Sequence, residues 1–365
     1  MRNNVKKKIE NLLRYKLPGL FISLFYRKQS LQDSSGHSEH IVFLRPGKLG
    51  DMLVATPLFR AIKTELPQIN ITVVCSPYNH VIIENSQDLN NIKIVNFHSL
   101  PAMIAIFKWI CKNKVDMVID LTPGVSRTST MLACFLRTAG IRIAGMHKAE
   151  FSRYFDITTD TPGLHIIDRN RVLLEKVLNY RFKSNDFHPH IYSNEKQISS
   201  AADFIKNFGT DKFIMGLNLS AGAKVRQWTF DNYLKLALMI RKQFSESVRV
   251  ILFSHGEQNQ WAGQIAVQTG FHIAPAVDFL TTAEILRFCG LLFTPDTAFL
   301  HLASAARIPV VALYCIAGEN LIRWRAYDVT NRELVASQSG DVNEISAEDA
   351  FKEIKNIIEI LGVDY

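Results

Sequence analysis

This 365-residue chain lacks most of the short motifs that mark nucleotide- and metal-using enzymes. Its cysteines, Cys75, Cys111, Cys134, Cys289 and Cys315, are odd in number and scattered, with no C-x-x-C pair. That argues against a disulfide framework and fits reduced thiols in the cytoplasm. No G-x-x-x-x-G-K-[ST] loop and no G-x-G-x-x-G turn occurs, so ATP hydrolysis and dinucleotide oxidation lose their best sequence support. There is no D-x-D pair, so a tightly bound divalent metal or other cofactor is not expected. Zinc-finger spacing and interleaved aromatic and basic residues are also missing, which argues against nucleic acid as a partner. The N-terminal apolar run, Leu17 to Tyr26, is too short to span a bilayer and is broken by Pro18-Gly19. A signal peptide is not expected, because a long charged stretch precedes that run and no small-residue cleavage pattern follows it.

The hydrophobic content of 47% supports a large core, and the length allows two domains. Forty-two Lys and Arg against thirty-four Asp and Glu give a net charge of +8, which suits anionic partners. Basic residues gather first at the N-terminus. There Val5, Ile9, Leu12 and Leu13 recur at helical spacing among Lys6, Lys7, Lys8, Arg14 and Lys16. Two readings fit: a helix lying on an anionic inner leaflet, or a helix packed on the first domain. Residues 29 to 40 read as a polar tether.

From Ile41 onward, short β-branched runs alternate with helical stretches, the pattern of a parallel, doubly wound α/β sheet. Ile41–Arg45, Ile71–Cys75, Ile92–Asn96, Val115–Leu121 and Ile141–Gly145 read as strands, with helices near 51–66, 101–113 and 126–139. After a polar interval around Arg181–Ser200 the pattern restarts, with strands at Phe213–Leu219, Val248–Ser254, Leu291–Thr294 and Pro309–Tyr314. The expected divisions are a basic segment and tether over 1–40, one Rossmann-like domain over 41–195, a second over 196–345, and a final helix over 346–365.

The most informative stretch runs from Leu291 to Tyr314: a buried strand, a one-proline turn, an Ala-rich helix and a second strand. Asp296 and Thr297 then fall where the helix opens at the strand's carboxyl end, a place suited to phosphate. Asp296 taken alone reads as a helix cap. His301 lies one turn deeper on the face of Thr297, where it could reach a phosphate, orient Thr297 or simply pack. Asp51 follows the first strand and the Pro46-Gly-Lys-Leu-Gly50 turn, at a cap position or facing a ligand.

Asp296-Thr-Ala-Phe-Leu-His301 resembles the D-T-G-x-x-H element of glycosyltransferase family 9, the bacterial ADP-heptose:lipopolysaccharide heptosyltransferases. Ile41 to Ile62 is similar to that family's strand, G-D and T-P-L-x-R-A-L opening, and Ser220-Ala-Gly-Ala-Lys-Val-Arg-Gln-Trp228 resembles its small-residue loop ending in K-x-W. The three lie in the family's order over roughly residues 40 to 325. Two departures stand out: Ala298 replaces the Gly of D-T-G, and Arg226 replaces the usual Lys. The resemblance implies a GT-B fold, two Rossmann-like domains facing a cleft, and an inverting transfer of heptose from ADP-heptose to a lipopolysaccharide core acceptor at the inner face of the inner membrane.

It further implies that Asp51 is the catalytic base. Arg226, Lys224, Ser220, Asp296, Thr297, Ala298 and His301 are the expected donor-binding residues. Glu257 joins them, either accepting from a ribose or standing as an ordinary helix-start glutamate. Arg45, Lys48, Arg127, His165 and Arg169 are the expected acceptor-binding residues, the last two from a segment similar to the family's H-x-V-x-R. Arg127 also reads as a solvated surface charge, and Trp228 as a packing residue. Rival readings are a related transferase with another nucleotide-sugar donor or acceptor, an inactive nucleotide-sugar-binding protein, and an epimerase of two Rossmann-like halves.

Overall fold

The computed structural model describes residues 39–126, 128–208, 212–337 and 340–364. Nearly all of the N-terminal basic segment, and Arg127, lie outside the described residues. Two compact units divide the chain: one runs up to Pro162 and resumes over Ile166–Phe187, and the other takes Gly163–His165 and everything from His188 onward. The expected boundary at 195 thus moves to 187, since His188 joins Asp328 of the second unit through its Nε2, 3.4 Å from the carboxylate.

The first unit holds strands β1 (His40–Arg45), β2 (Asn70–Cys75), β3 (Asn91–Ile94), β4 (Met117–Asp120), β5 (Arg142–Met146) and β6 (Ile157–Thr159). Its helices are α1 (Leu49–Leu53), α2 (Thr56–Glu65), α3 (Leu100–Lys112), α4 (Ser129–Thr138) and α5 (Ile166–Leu178). All strand pairings are parallel, in the order β3-β2-β1-β4-β5-β6. A strand buried on both faces must be apolar throughout, and β1 is buried from Ile41 to Arg45. On one face Val42, Leu44 and Val118 pack with Ile106, Ile110 and Leu132 of the helices. On the other, Phe43 meets Phe59 edge to face at 5.3 Å. The single helix expected over 51–66 is two helices. Pro57 occupies the first turn of α2, where its missing N–H costs nothing, and the chain breaks ahead of it at Val54 and Ala55.

The second unit repeats the plan with α6 (Glu195–Phe208), β7 (Phe213–Asn218), α7 (Phe230–Phe244), β8 (Val248–Phe253), α8 (Gln258–Thr269), β9 (His272–Ile273), α9 (Phe279–Leu286), β10 (Leu291–Pro295), α10 (Ala298–Ala306), β11 (Val310–Tyr314), α11 (Glu319–Trp324), β12 (Asn331–Val335) and α12 (Ala347–Ile360). Its sheet order is β12-β11-β10-β7-β8-β9. Counted from β7, this is again the 3-2-1-4-5-6 order of a dinucleotide-type fold. The final helix, α12, belongs to this unit: Ile354, Ile357 and Ile358 enter its core with Leu217, Phe293 and Val311. Ser346 caps that helix, accepting from the Asp349 N–H at 3.0 Å.

The order fixes where ligands can bind. In such a sheet the chain departs in opposite directions from the first and fourth strands, leaving a crevice at their carboxyl ends. In the first unit this point lies between β1 and β4, so Arg45 and Asp120 end at it. In the second it lies between β7 and β10, at Asn218 and Pro295.

Candidate active site

In the first unit the site is built around one carboxylate. Asp51 is the third residue of α1 rather than its cap, and its Oδ2 reaches back to accept the Lys48 N–H at 2.7 Å. Gly47 makes room for this: a Cβ there would stand 2.2 Å from Oδ2 of Asp51. Arg45, at the end of β1, donates through Nε to the Asp51 carbonyl at 2.7 Å and places Nη2 3.5 Å from Oδ1. Its Nη1 donates to the Leu121 carbonyl at 2.5 Å. Asn79, fully buried, donates to the Arg45 carbonyl at 2.9 Å and so pins the turn from the β2 side. The carboxylate of Asp51 stays 25% exposed while Arg45 is 1% exposed. The result is an accessible acid group with a fixed direction.

Arg45 therefore is not the acceptor cation expected from its position, because its donors are spent inside the fold. Burial pulls its guanidinium below the ordinary value, while Asp51 and Asp120 pull it back up. Beside it lies a pair that sequence reading missed. Lys148 Nζ sits 3.0 Å from Asp120 Oδ2, both side chains fully buried. Nζ also donates to the Thr122 carbonyl and, at 3.0 Å, to the Gly124 carbonyl. Thr122 and Thr130 donate to the two Asp120 oxygens at 2.6 and 3.2 Å. Burial lowers the Lys148 pKa and Asp120 opposes that. The loop after β4 is thus tied to the residue two past β5, its neighbour in the sheet.

The other expected acceptor residues scatter. Lys48 is exposed at the turn. Arg169 is 6% exposed within α5. His165 belongs to the second unit, where Nε2 lies 3.0 Å from the Arg325 carbonyl and the ring stacks on Tyr327 at 4.8 Å. Of the acceptor cations expected from sequence, Lys48 is the exposed one among the described residues of the first unit.

In the second unit three loops at the carboxyl ends of β7, β8 and β10 are laced together. Asn218, 1% exposed, donates to Thr294 Oγ1 at 2.9 Å and to the Ser220 carbonyl at 3.2 Å. Ser220 Oγ accepts the His255 N–H at 2.8 Å. Gln227 clamps the loop on itself, accepting from Ala221 N–H at 3.0 Å and donating to the Leu219 carbonyl at 2.8 Å. Asn218 and Gln227 carried no sequence signal beyond their place after strand and turn. Trp228 is fully buried, its Nε1 donating to the Ile345 carbonyl at 3.0 Å, as a packing residue should.

Thr297, not Asp296, caps α10, accepting the Phe299 N–H at 3.2 Å. Asp296 instead holds Arg226: Nη1 donates to the Asp296 carbonyl at 2.8 Å and to Oδ2 at 3.0 Å. Arg226 remains about a quarter exposed and its Nη2 stands over Gly222, 3.6 Å from where a Cβ would lie. A forked cation is thus held beside the amino end of α10, whose first-turn N–H groups also favour an anion. Asp296, an acceptor-only carboxylate, holds that cation in place. Ala298 is not among the residues with positive φ, so replacing the family's glycine costs no backbone strain. Lys224 and Glu257 are exposed nearby on the loops after β7 and β8, while His301 is 5% exposed with its ring 6.1 Å from that of Trp324. His301 is thus an interior residue of α10.

Among the described residues no group of three or more His, Cys, Asp or Glu could hold a metal ion, and no helix is long and apolar enough to cross a membrane. All five cysteines are free.

Two Rossmann-like units, each with polar residues gathered at its switch point, give the α/β architecture of the GT-B class. The family model for glycosyltransferase family 9 (heptosyltransferase) matches residues 103–355, more than half of the chain, and the chain belongs to that family. Lipopolysaccharide heptosyltransferase 3 of Escherichia coli K12 is 20% identical over 295 residues, covering 76% of this chain and 82% of the relative. Among solved structures, a family 9 glycosyl transferase from Veillonella parvula superposes with a TM-score of 0.74 at 20% identity, covering 88% of this chain and 98% of that one. Escherichia coli heptosyltransferase WaaC with ADP-2-deoxy-2-fluoro heptose gives 0.68 at 17% identity, covering 87% and 99%.

Proposed function

We propose that this glycosyltransferase moves heptose from ADP-heptose to a lipopolysaccharide core acceptor with inversion at the anomeric carbon. The observation that carries the reading is Asp51: a partly exposed carboxylate aimed by Arg45, Gly47 and the Lys48 N–H at the first unit's switch point. Transfer requires that a hydroxyl of the acceptor lose its proton as its oxygen attacks the anomeric carbon, and Asp51 is the group to take it. The leaving diphosphate gains negative charge as the glycosidic bond breaks. Arg226, Lys224, Thr297 and the amino end of α10 meet that charge, and they stabilise the transition state more than the ground state. Ser220 shapes the loop they share, and Glu257 is placed to accept from a ribose hydroxyl. No metal is assigned a step. The first unit takes the acceptor and the second the donor.

The heptosyltransferase names of the relatives support the donor and the acceptor class. Work at the inner face of the inner membrane follows from a lipid-linked acceptor and from the basic, amphipathic residues 1–28. Incubating the purified protein with ADP-heptose, UDP-sugars and GDP-sugars, each with truncated core acceptors, and reading products by mass spectrometry tests it. A heptose-mass increment from ADP-heptose alone is expected. Transfer from another nucleotide sugar in preference would replace the donor assignment, and donor binding without turnover would make the protein a binding protein.

A further inference from the structure

The outward face of α3 has an unusual composition for a helix face in water. Leu100 is 72% and Ile104 45% exposed, and Ala105, Lys108, Cys111 and Lys112 continue the same exposed stripe. The opposite face is buried through Ile106 and Ile110, so the exposed stripe is not the helix's packing surface. No acidic residue occurs anywhere in α3. Its N-terminal half is apolar and its C-terminal half basic. The neighbouring edge strand β3 extends the pattern: Ile94 is 53% exposed, and Lys93 Nζ lies 4.7 Å over the Trp109 ring of α3. Apolar side chains flanked at one end by lysines, with no carboxylate on α3 or β3 themselves and Asp116 and Glu39 only past the helix's C-terminal end, match the boundary between acyl chains and anionic headgroups.

We infer that the exposed face of α3, with Ile94 and Lys93, is a docking surface for an anionic lipid bilayer. The inference rests on the proposed lipid-linked acceptor and adds a second membrane contact to residues 1–28. Two observations favour lipid over other occupants. The chain enters β1 beside the end of this helix, where His40 Nδ1 lies 3.2 Å from the Asn113 carbonyl and its ring 6.2 Å from that of Trp109. The segment arriving there carries Lys6, Lys7, Lys8, Arg14 and Lys16. One anionic surface would attract both these residues and Lys108 and Lys112.

The test uses the full chain and flotation with vesicles of phosphatidylethanolamine and phosphatidylglycerol, against phosphatidylcholine alone. Binding to the anionic vesicles is expected, with the Leu100→Ser/Ile104→Ser pair lowering the partition coefficient by about tenfold at unchanged melting temperature. The Lys108→Glu/Lys112→Glu pair should weaken binding strongly at low salt and less at high salt. Equal partitioning by the parent and the serine pair overturns the inference. An environment-sensitive dye on Cys111, in a Cys315→Ala background because the other three cysteines are buried, locates the contact. Its emission should shift to the blue on anionic vesicles, and an unchanged dye on vesicle-bound protein overturns the inference in favour of the N-terminal segment alone. A lipid-free dimer dissolved by the serine pair would also overturn it, assigning the face to a second copy of the chain. Transfer to a soluble acceptor reads the catalytic proposal separately and is expected to be the same in both pairs.

Discussion

Arg45 grips Asp51 at two points, the backbone carbonyl and the carboxylate, from a position sealed inside the first unit. A buried guanidinium placed this way sets the direction of the acid group without touching a ligand. Arg45→Lys keeps the charge but loses the fork. Single-turnover transfer should fall by about tenfold to a hundredfold, the scale of a small misplacement of a reacting group. ADP affinity, read by calorimetry, should stay the same, since the residues proposed to hold the donor lie in the other unit. A loss of ADP affinity equal to the loss of rate would mean that Arg45 supports the fold rather than the base.

Asp51→Asn should leave melting temperature and ADP binding near those of the parent while transfer falls by about 10²–10⁴-fold, the usual worth of positioned proton removal. Gly47→Ala offers a complementary test that keeps the carboxylate. The new Cβ falls 2.2 Å from Oδ2, so Asp51 must swing away from the Lys48 N–H. A similar loss of rate is expected. Near-normal transfer by both variants would take Asp51 out of the mechanism.

The parts of the fold legible in sequence were those with a single physical cause. The central strands β1, β2, β4, β7, β8, β10 and β11 are buried on both faces and read as apolar runs. The strands that went unread, β6, β9 and β12, are sheet edges only partly covered, where no hydrophobic pattern is enforced. The placement of Asp51 and Thr297 at helix starts soon after a strand, and of Arg226 in the loop that follows β7, was legible from the strand–turn–helix pattern. Lys148 was not: it meets Asp120 only because β5 lies beside β4, and no spacing encodes that pairing. The expectation that Arg45 serves the acceptor went astray for a related reason. Whether a cation at a strand end faces outward or inward depends on partners such as Leu121 and Asn79, which lie far away in sequence.

Lys148→Met should destabilise the first unit by about 3–5 kcal/mol, because it leaves the Asp120 carboxylate buried without its cation. Lys148→Met/Asp120→Asn should recover a large part of that loss, since the stranded charge is removed with its partner. Urea unfolding of the single and double variants measures both. A double variant no more stable than the single one would show that the Lys148 bonds to the Thr122 and Gly124 carbonyls matter more than the charge pair.

Glu65, at the end of α2, accepts from the Lys183 and Ser184 N–H groups at 3.0–3.1 and 2.9 Å and from the Tyr180 hydroxyl at 2.9 Å. Burial pushes its carboxyl up, but those bonds and the Lys183 charge outweigh burial and hold it below its usual value. The folded pKa thus lies under the unfolded one. The stability this provides is complete above the unfolded value of about 4.3 and disappears as pH falls through the folded value. Melting temperature should therefore separate the parent from Glu65→Gln at neutral pH, with the gap closing in acid. A gap that persists unchanged to low pH would assign the effect to packing.

Arg226→Ala should weaken ADP binding by roughly tenfold to a hundredfold, because a diphosphate would lose charge-assisted hydrogen bonds of about 1.5–3 kcal/mol, and Arg226→Lys should be milder. Asp296 gives the sharper test because its two possible effects differ in sign. If it is merely a negative neighbour of the phosphate site, Asp296→Ala removes repulsion and ADP binds more tightly. If it aims Arg226, as the 3.0 Å pair indicates, the same substitution frees the guanidinium and ADP binds more weakly, by about threefold to tenfold. In the second case Asp296→Ala should have little further effect in an Arg226→Ala background, since no guanidinium is left to aim. Calorimetric titration of ADP into the parent, the two single variants and the double variant decides between them. Tighter binding by Asp296→Ala would remove Asp296 as a positioning residue and leave Arg226 held by the Asp296 carbonyl alone.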